Sequence, residues 1–214
     1  MLDIKCFTCN MLQENCYIVS DDTRQAVVID CGAYYDEERK AITDYIRQQK
    51  LCITHLLCTH GHLDHVFGND TIEQEFGVGP EIHAADVFLL NGLASQAEQM
   101  LGMPFARKVP RPANLLTHAD IISFGNHRLK VLHTPGHSPG SVVLYCEEEN
   151  LLFSGDTLFR MSVGRTDLAR GSWEQLIDSL HKVLAPLPAD TTVLCGHGPQ
   201  TRLGDEIRMN PFFR

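Results

Sequence analysis

Four short apolar runs in this chain each end in residues of the kind that bind metals, and that recurrence restricts the fold more than any other feature. They are "ITHLLC" leading into "THGHLDH" (residues 53–65), "RLKVLH" into "TPGHSPGS" (128–141), "NLLFSGD" (150–156) and "TTVLCGH" (191–197). Short, apolar and bounded by Gly or Pro, the runs read as strands. A fold that gathers these strand ends collects His60, His62, Asp64, His65, His137, Asp156 and His197.

The densest stretch is "CTHGHLDHVFG", residues 58–68. His60 and His62 are two apart, so in an extended loop both rings face the same way, while Asp64 and His65 aim at a neighbouring point. The spacing therefore predicts a first ion on His60, His62 and His137 and a second on Asp64, His65 and His197, with Asp156 bridging them through its two oxygens. Two divalent ions about 3.5–4 Å apart share a water and make it a hydroxide near neutral pH. Zinc is the first expectation, and mixed His and carboxylate sets also accept iron or manganese.

Composition sets the class. A chain of 214 residues, 43% hydrophobic and 21% charged, is long enough to fold as one domain over 1–214. A formal charge of −9 without clustered Lys and Arg argues against nucleic acid as a partner. The first residues lack the features of a signal peptide, and no apolar run reaches transmembrane length, so no membrane partner is expected. Without an export signal, Cys52, Cys58, Cys146 and Cys195, in or beside apolar runs, read as reduced core thiols of a cytoplasmic protein. Cys6 and Cys9 form a Cys-X-X-Cys with no second pair to complete a zinc site, and read as structural.

"HGHLDH" at 60–65, followed in order by "TPGHSPGS", "FSGDTLF" and "LCGHG", resembles the metallo-β-lactamase superfamily over nearly the entire chain. The resemblance implies an α/β fold, a four-layer αββα sandwich of two similar halves with the metals at one edge. "NCYIV" (15–19), "VVIDCG" (27–32), "RMSVGRTDLARGS" (160–172) and "EIRMNPFF" make it similar to the short glyoxalase II type, hydroxyacylglutathione hydrolases without the added helical domain. By that resemblance the substrate is a small thioester, S-lactoylglutathione, cleaved to lactate and glutathione. Because only about fifteen residues follow the His197 motif, few positive groups are expected for the carboxylates of glutathione, so substrate binding is expected to be weak and tolerant of the thiol portion.

"YDEERKAITDYIRQQK" places Ile42, Tyr45 and Ile46 on one helical face, with acids near its start where the helix dipole favours them. "SWEQLIDSLHKVLAPLP" aligns Trp173, Leu176, Ile177, Leu180, Val183 and Leu184 as a buried stripe, opened by a Ser172/Gln175 capping box and stopped by Pro186. Residues 91–120 read as a long irregular connection that either walls the substrate cleft, through Met103, Phe105, Lys108 and Arg111, or only covers surface. Arg165 and Asp167 either border the site or pair with each other to brace their loop. Arg165, Lys108 and Arg111 are the candidate substrate-binding cations. His55, His83, His118, His127, His133 and His181 fit no ligand pattern.

The expected chemistry is thioester hydrolysis by the shared hydroxide, with Asp64 holding the second ion and orienting that hydroxide. The rivals are a persulfide dioxygenase with one iron on His60, His137 and Asp156, a lactonase, and a non-catalytic metal sensor. Filled positions at all seven ligands favour the hydrolase.

Overall fold

A computed structural model describes residues 1–214. The first half opens with an antiparallel meander, β1 (Asp3–Cys9), β2 (Glu14–Ser20) and β3 (Gln25–Ile29). Helix α1 (Asp36–Gln48) carries the chain over to β4 (Cys52–Leu57), which pairs parallel with β3. Helices α2 (Leu63–Val66) and α3 (Asn69–Phe76) lead to β5 (Pro80–His83), and α4 (Val87–Asn91) and α5 (Leu93–Leu101) lead to β6 (Asn114–Leu116). These six strands form one sheet in sequence order.

The second half begins with β7 (Ile121–Phe124), β8 (His127–His133), β9 (Val142–Cys146) and β10 (Leu151–Gly155). A small hairpin, β11 (Leu158–Phe159) and β12 (Ser162–Val163), precedes α6 (Trp173–Ser179), which runs on as a π-helical turn, Leu180–Leu184. Strands β13 (Thr192–Cys195) and β14 (Thr201–Arg202) and helix α7 (Leu203–Met209) follow. The second sheet has the order β14-β13-β10-β9-β8-β7.

Side-chain alternation explains the layering. In β8 the burial pattern has period two, so Leu129 and Val131 face inward while Arg128 and Lys130 face water. Between the sheets, Tyr17, Val27 and Ile29 of the first pack against Phe124, Val131 and Phe153 of the second. On the outer face of the first sheet Val28 and Leu56 meet Ile42 and Ile46 of α1 and Ile72 of α3. On that of the second, Val143 and Leu152 meet Leu180, Leu184 and Leu203. The result is the αββα sandwich. Tyr17 carries a polar tip into the inner layer, where its hydroxyl donates to Cys195 O at 2.7 Å, joining the sheets.

Local signals locate the helices. In α1, Asp36, Glu37 and Glu38 occupy the first turn, and Glu38 accepts from the Tyr34 and Tyr35 amides. In α6 the Ser172 hydroxyl accepts from the Gln175 amide at 3.4 Å. Trp173 departs from the expected stripe: it is 50% exposed at the first position of α6, with Phe212 edge-on to its ring. Cys52 is also exposed, at the start of β4, whereas Cys58, Cys146 and Cys195 are buried and all eight thiols are free. Cys6 and Cys9 fall on opposite faces of β1, one exposed and one buried. Within 91–120 the chain is less irregular than expected, since Leu93, Ala97 and Leu101 recur at helical spacing and build α5. No helix is long and apolar enough to cross a membrane.

Candidate metal centre

All the ligand-type residues leave the sheets at one edge. The turn after β4 carries His60 and His62, and α2 then presents Asp64 and His65. His137 sits between β8 and β9, Asp156 directly follows β10, and His197 follows β13 by one residue. Gly196 is required there: a Cβ would lie 2.8 Å from His65 Cε1 and run into the Asp156 carboxylate. The Asn15 amide donates to Gly196 O at 2.8 Å, and its side chain donates to Cys195 O at 3.1 Å and Gly198 O at 2.9 Å, so β2 fixes the His197 loop.

Two groups of donor atoms converge. His137 Nε2 is 2.8 Å from His62 Nδ1 and 3.2 Å from His60 Nε2. Next to this set, His197 Nε2 is 3.3 Å from His65 Nε2 and 3.2 Å from Asp64 Oδ2. Asp156 spans both, with Oδ1 3.3 Å from His65 Nε2 and Oδ2 3.5 Å from His137 Nε2 and 3.7 Å from His197 Nε2. Ligands of a tetrahedral ion at about 2.0–2.1 Å stand roughly 3.3 Å apart, so these spacings suit cations. The close approach of ring nitrogens to one another and a buried Asp156 Oδ1 without a hydrogen-bond partner are explained the same way.

The ligand groups open onto a cleft of about 490 Å³. His62, Asp64, His137, Asp156 and His197 form its floor, and Leu12, Met100, Leu101, Phe159, Arg165 and Leu168 its walls.

A family model for the metallo-beta-lactamase superfamily matches residues 9–197. The chain belongs to this superfamily. It is 36% identical over 214 residues to hydroxyacylglutathione hydrolase GloC of Haemophilus influenzae, a match covering 99% of this chain and 98% of that protein. Among solved structures, the B3 metallo-beta-lactamase BLEG-1 gives a TM-score of 0.90 at 35% identity, covering 100% of this chain and 99% of that one. TTHA1623, solved in a di-iron-bound form, gives 0.86 at 37% identity, covering 97% and 99% respectively.

In this member of the superfamily, electrostatics divides the histidines into two kinds. Burial, reinforced by the charge of neighbouring imidazoles, holds His60 far below its ordinary pKa and pulls His62 down to about 3. Both are therefore neutral, the form that ligates. His65 and His197 go the other way: burial opposes their charge, but Asp156 and Asp64 outweigh it and raise both. Asp64 and Asp156 are correspondingly held below the usual carboxylate range, with the charge of His65 overcoming the cost of burial. Without a cation, the raised histidines and the lowered carboxylates favour each other's charged forms.

Four of the five ligand-type histidines have their other ring nitrogen tied down, which orients those imidazoles, while His62 Nε2 is buried without a hydrogen-bond partner. His65 Nδ1 pairs with Asp30 Oδ2 at 2.9 Å, His137 Nδ1 with Arg165 O at 2.7 Å, and His197 Nδ1 with Leu12 O at 3.0 Å. Asp30 also accepts from the Thr59 amide and hydroxyl at 2.7 and 2.6 Å. A second buried carboxylate, Asp86, accepts from Gly61 N at 3.0 Å, Ser138 Oγ at 2.6 Å and Gly140 N at 2.6 Å. Sequence reading missed both aspartates as site residues. Asp30 had a signal, a carboxylate ending the apolar run "VVID"; Asp86 had none.

Of the three candidate substrate cations, the structure brings only Arg165 to the cleft, with its guanidinium held by both oxygens of Asp167 at 2.6 and 2.7 Å. Lys108 instead pairs with Glu73 at 2.6 Å, and Arg111 lines a separate depression beside Val87 and Asn91. The cause is the path of the chain: after α5 it turns back along α3 toward β5, where the Ala113 amide bonds Pro80 O. Phe105 packs on Phe67, and Met100 and Leu101, rather than Met103 and Phe105, wall the cleft.

Proposed function

We propose that this chain is a binuclear, metal-dependent hydrolase of acyl thioesters, of the glyoxalase II kind, with S-lactoylglutathione as its reference substrate. The observation that carries the reading is the pair of donor sets joined by Asp156 on the floor of one cleft. His60, His62 and His137 are assigned to one divalent ion, Asp64, His65 and His197 to the other, and Asp156 to both. When bound, the ions supply Lewis-acid activation of water and of the thioester carbonyl.

The chain's own groups complete the chemistry. Asp64, ionised and on the cleft floor, accepts a hydrogen from the attacking water and so aims its oxygen at the carbonyl carbon. A carbon–oxygen bond forms, the carbon–sulfur bond breaks with its electron pair on sulfur, one proton of the water ends on that sulfur and the other passes to solvent, and the products are a carboxylate and a thiol. No Ser or Cys lines the cleft to serve as a nucleophile. The name of the Haemophilus relative supports the thioester substrate.

Zinc-loaded protein should release lactate and glutathione from S-lactoylglutathione under anaerobic conditions and consume no oxygen with glutathione persulfide. Activity confined to an iron-loaded form, seen as persulfide-dependent oxygen uptake without thioester cleavage, would overturn the proposal in favour of a persulfide dioxygenase.

A further inference from the structure

We infer that the cleft is built for thioesters whose thiol portion is apolar and uncharged, an inference that rests on the hydrolase reading and narrows its substrate class. Apart from the candidate ligands, the lining consists of Leu12, Met100, Leu101, Phe159 and Leu168 together with Arg165. Arg165 is the one cation of the lining, and Asp167 already engages its guanidinium through two hydrogen bonds in an exposed pair. Glutathione brings two carboxylates and an ammonium. Beyond Arg165 the walls provide no cation for the former and, outside the candidate ligands, no carboxylate for the latter; Lys108 and Arg170 do not line the cleft, the first pairing with Glu73 and the second lying over the face of Phe88.

The apolar wall also lies where a thiol portion must run. Leu12 O accepts from His197, and Phe159 meets the His197 ring edge-on at 6.1 Å, so both flank one ligand set. Leu168 follows Arg165, whose carbonyl holds His137 of the other set. Each methylene equivalent taken from water multiplies affinity by roughly fourfold, so seating two or three ring carbons of a benzyl group gives about a tenfold preference or more.

The test compares benzyl mercaptan with glutathione as ligands of zinc-replete protein by calorimetry, and their S-lactoyl thioesters as substrates. Benzyl mercaptan should bind at least about tenfold more tightly, and kcat/KM should follow. Met100→Asp and Leu168→Asp, each with zinc content unchanged, should erase most of that advantage. Equal or tighter binding of glutathione would overturn the inference. If neither thioester is cleaved but the binding preference stands, the hydrolase reading fails and the cleft inference survives.

A different observation carries a second inference: the geometry points to Asp86 as a positioning residue for the His60, His62 and His137 set alone. Its carboxylate is wholly buried and joins loops from both sheets, bonding Gly61 between two of these histidines and Ser138 and Gly140 just after the third. It bonds nothing in the Asp64, His65 and His197 set, whose His65 is held by Asp30 instead. Asp86→Asn turns an N–H toward the Gly61 amide or the Gly140 amide, loosening the first set. Zinc retained after dialysis against a chelator should fall from two ions to one, and the cobalt-loaded variant should lose the absorption bands of one site. Ser138→Ala, which removes a single donor, should weaken the same ion by a smaller factor and decides the matter if Asp86→Asn does not fold. Retention of both ions at wild-type affinity, or equal weakening of both, would refute the assignment.

Discussion

Asp156→Asn tests the centre most directly, because this carboxylate alone faces both donor sets. Two effects separate. In the metal-free protein Asp156 is depressed below an ordinary carboxylate, so it contributes stability above its unfolded pKa of about 3.9 that is lost as pH falls. Breaking a buried pair outright costs about 3–5 kcal/mol. Here Asp64 remains 3.2 Å from His197 Nε2 and 3.8 Å from His65 Nε2, so part of the compensation survives. The metal-free variant should lose less, about 1–3 kcal/mol at neutral pH, read from its denaturant midpoint. With cations the loss is larger, because the amide cannot supply a charged oxygen to both ions. Outer partners of metal ligands alone are worth about 10–100-fold in affinity, so each ion should weaken by at least about 100-fold. Calorimetric titration with zinc, checked by elemental analysis, measures both. Loss of one ion with the other at wild-type affinity would show that Asp156 serves a single set, and the bridging assignment would be wrong.

Asp64→Asn should lower kcat for S-lactoylglutathione by at least about 100-fold while the His60, His62 and His137 ion is retained; wild-type kcat in a metal-replete variant would count against its role in orienting water. Zinc affinity should weaken as pH is lowered, because the raised His65 and His197 must give up protons to ligate. The slope is about tenfold per pH unit for each proton displaced, and calorimetry in buffers of different ionisation enthalpy should detect proton release; a flat profile between about pH 6 and 8 would contradict the charge balance described above. Ser172→Ala removes the α6 cap and should cost about 1 kcal/mol by thermal melting with zinc content unchanged.

Local patterns were sufficient for some elements and silent on others. The acidic start and Ile42/Ile46 face of α1 were readable because both arise within one helix. Trp173 misled because helical spacing says which side a residue faces, not whether the packed layer extends beneath it; at the first position of α6 it does not. Strand order could not be read at all. Pairing β10 with β13 in parallel depends on where α6 returns the chain, a tertiary outcome that no short run of residues records.

The centre shows the same division in finer detail. The ligand-type residues could be picked out because each has the right chemistry and stands at the end of an apolar run, and both properties are local. Asp30 and Asp86 are bound by partners 25 to 54 residues away, so the end of the run "VVID" marks Asp30 only as a carboxylate at a strand end, and nothing beside Asp86 in the chain marks its role. Arg165 is the instructive intermediate. Its guanidinium has the chemistry of a substrate cation, yet that group is paired with Asp167, and it is the backbone carbonyl of Arg165 that holds His137 Nδ1. A main-chain oxygen is the same in every residue, so a contact of that kind leaves no mark on composition. The "GRTD" pair instead braces the loop that carries the carbonyl. Arg165→Ala should therefore disturb the His137 ion by freeing this loop, more than it changes recognition of a charged thiol, and a selective loss of glutathione thioesters with both ions intact would show the side chain to be a substrate group after all.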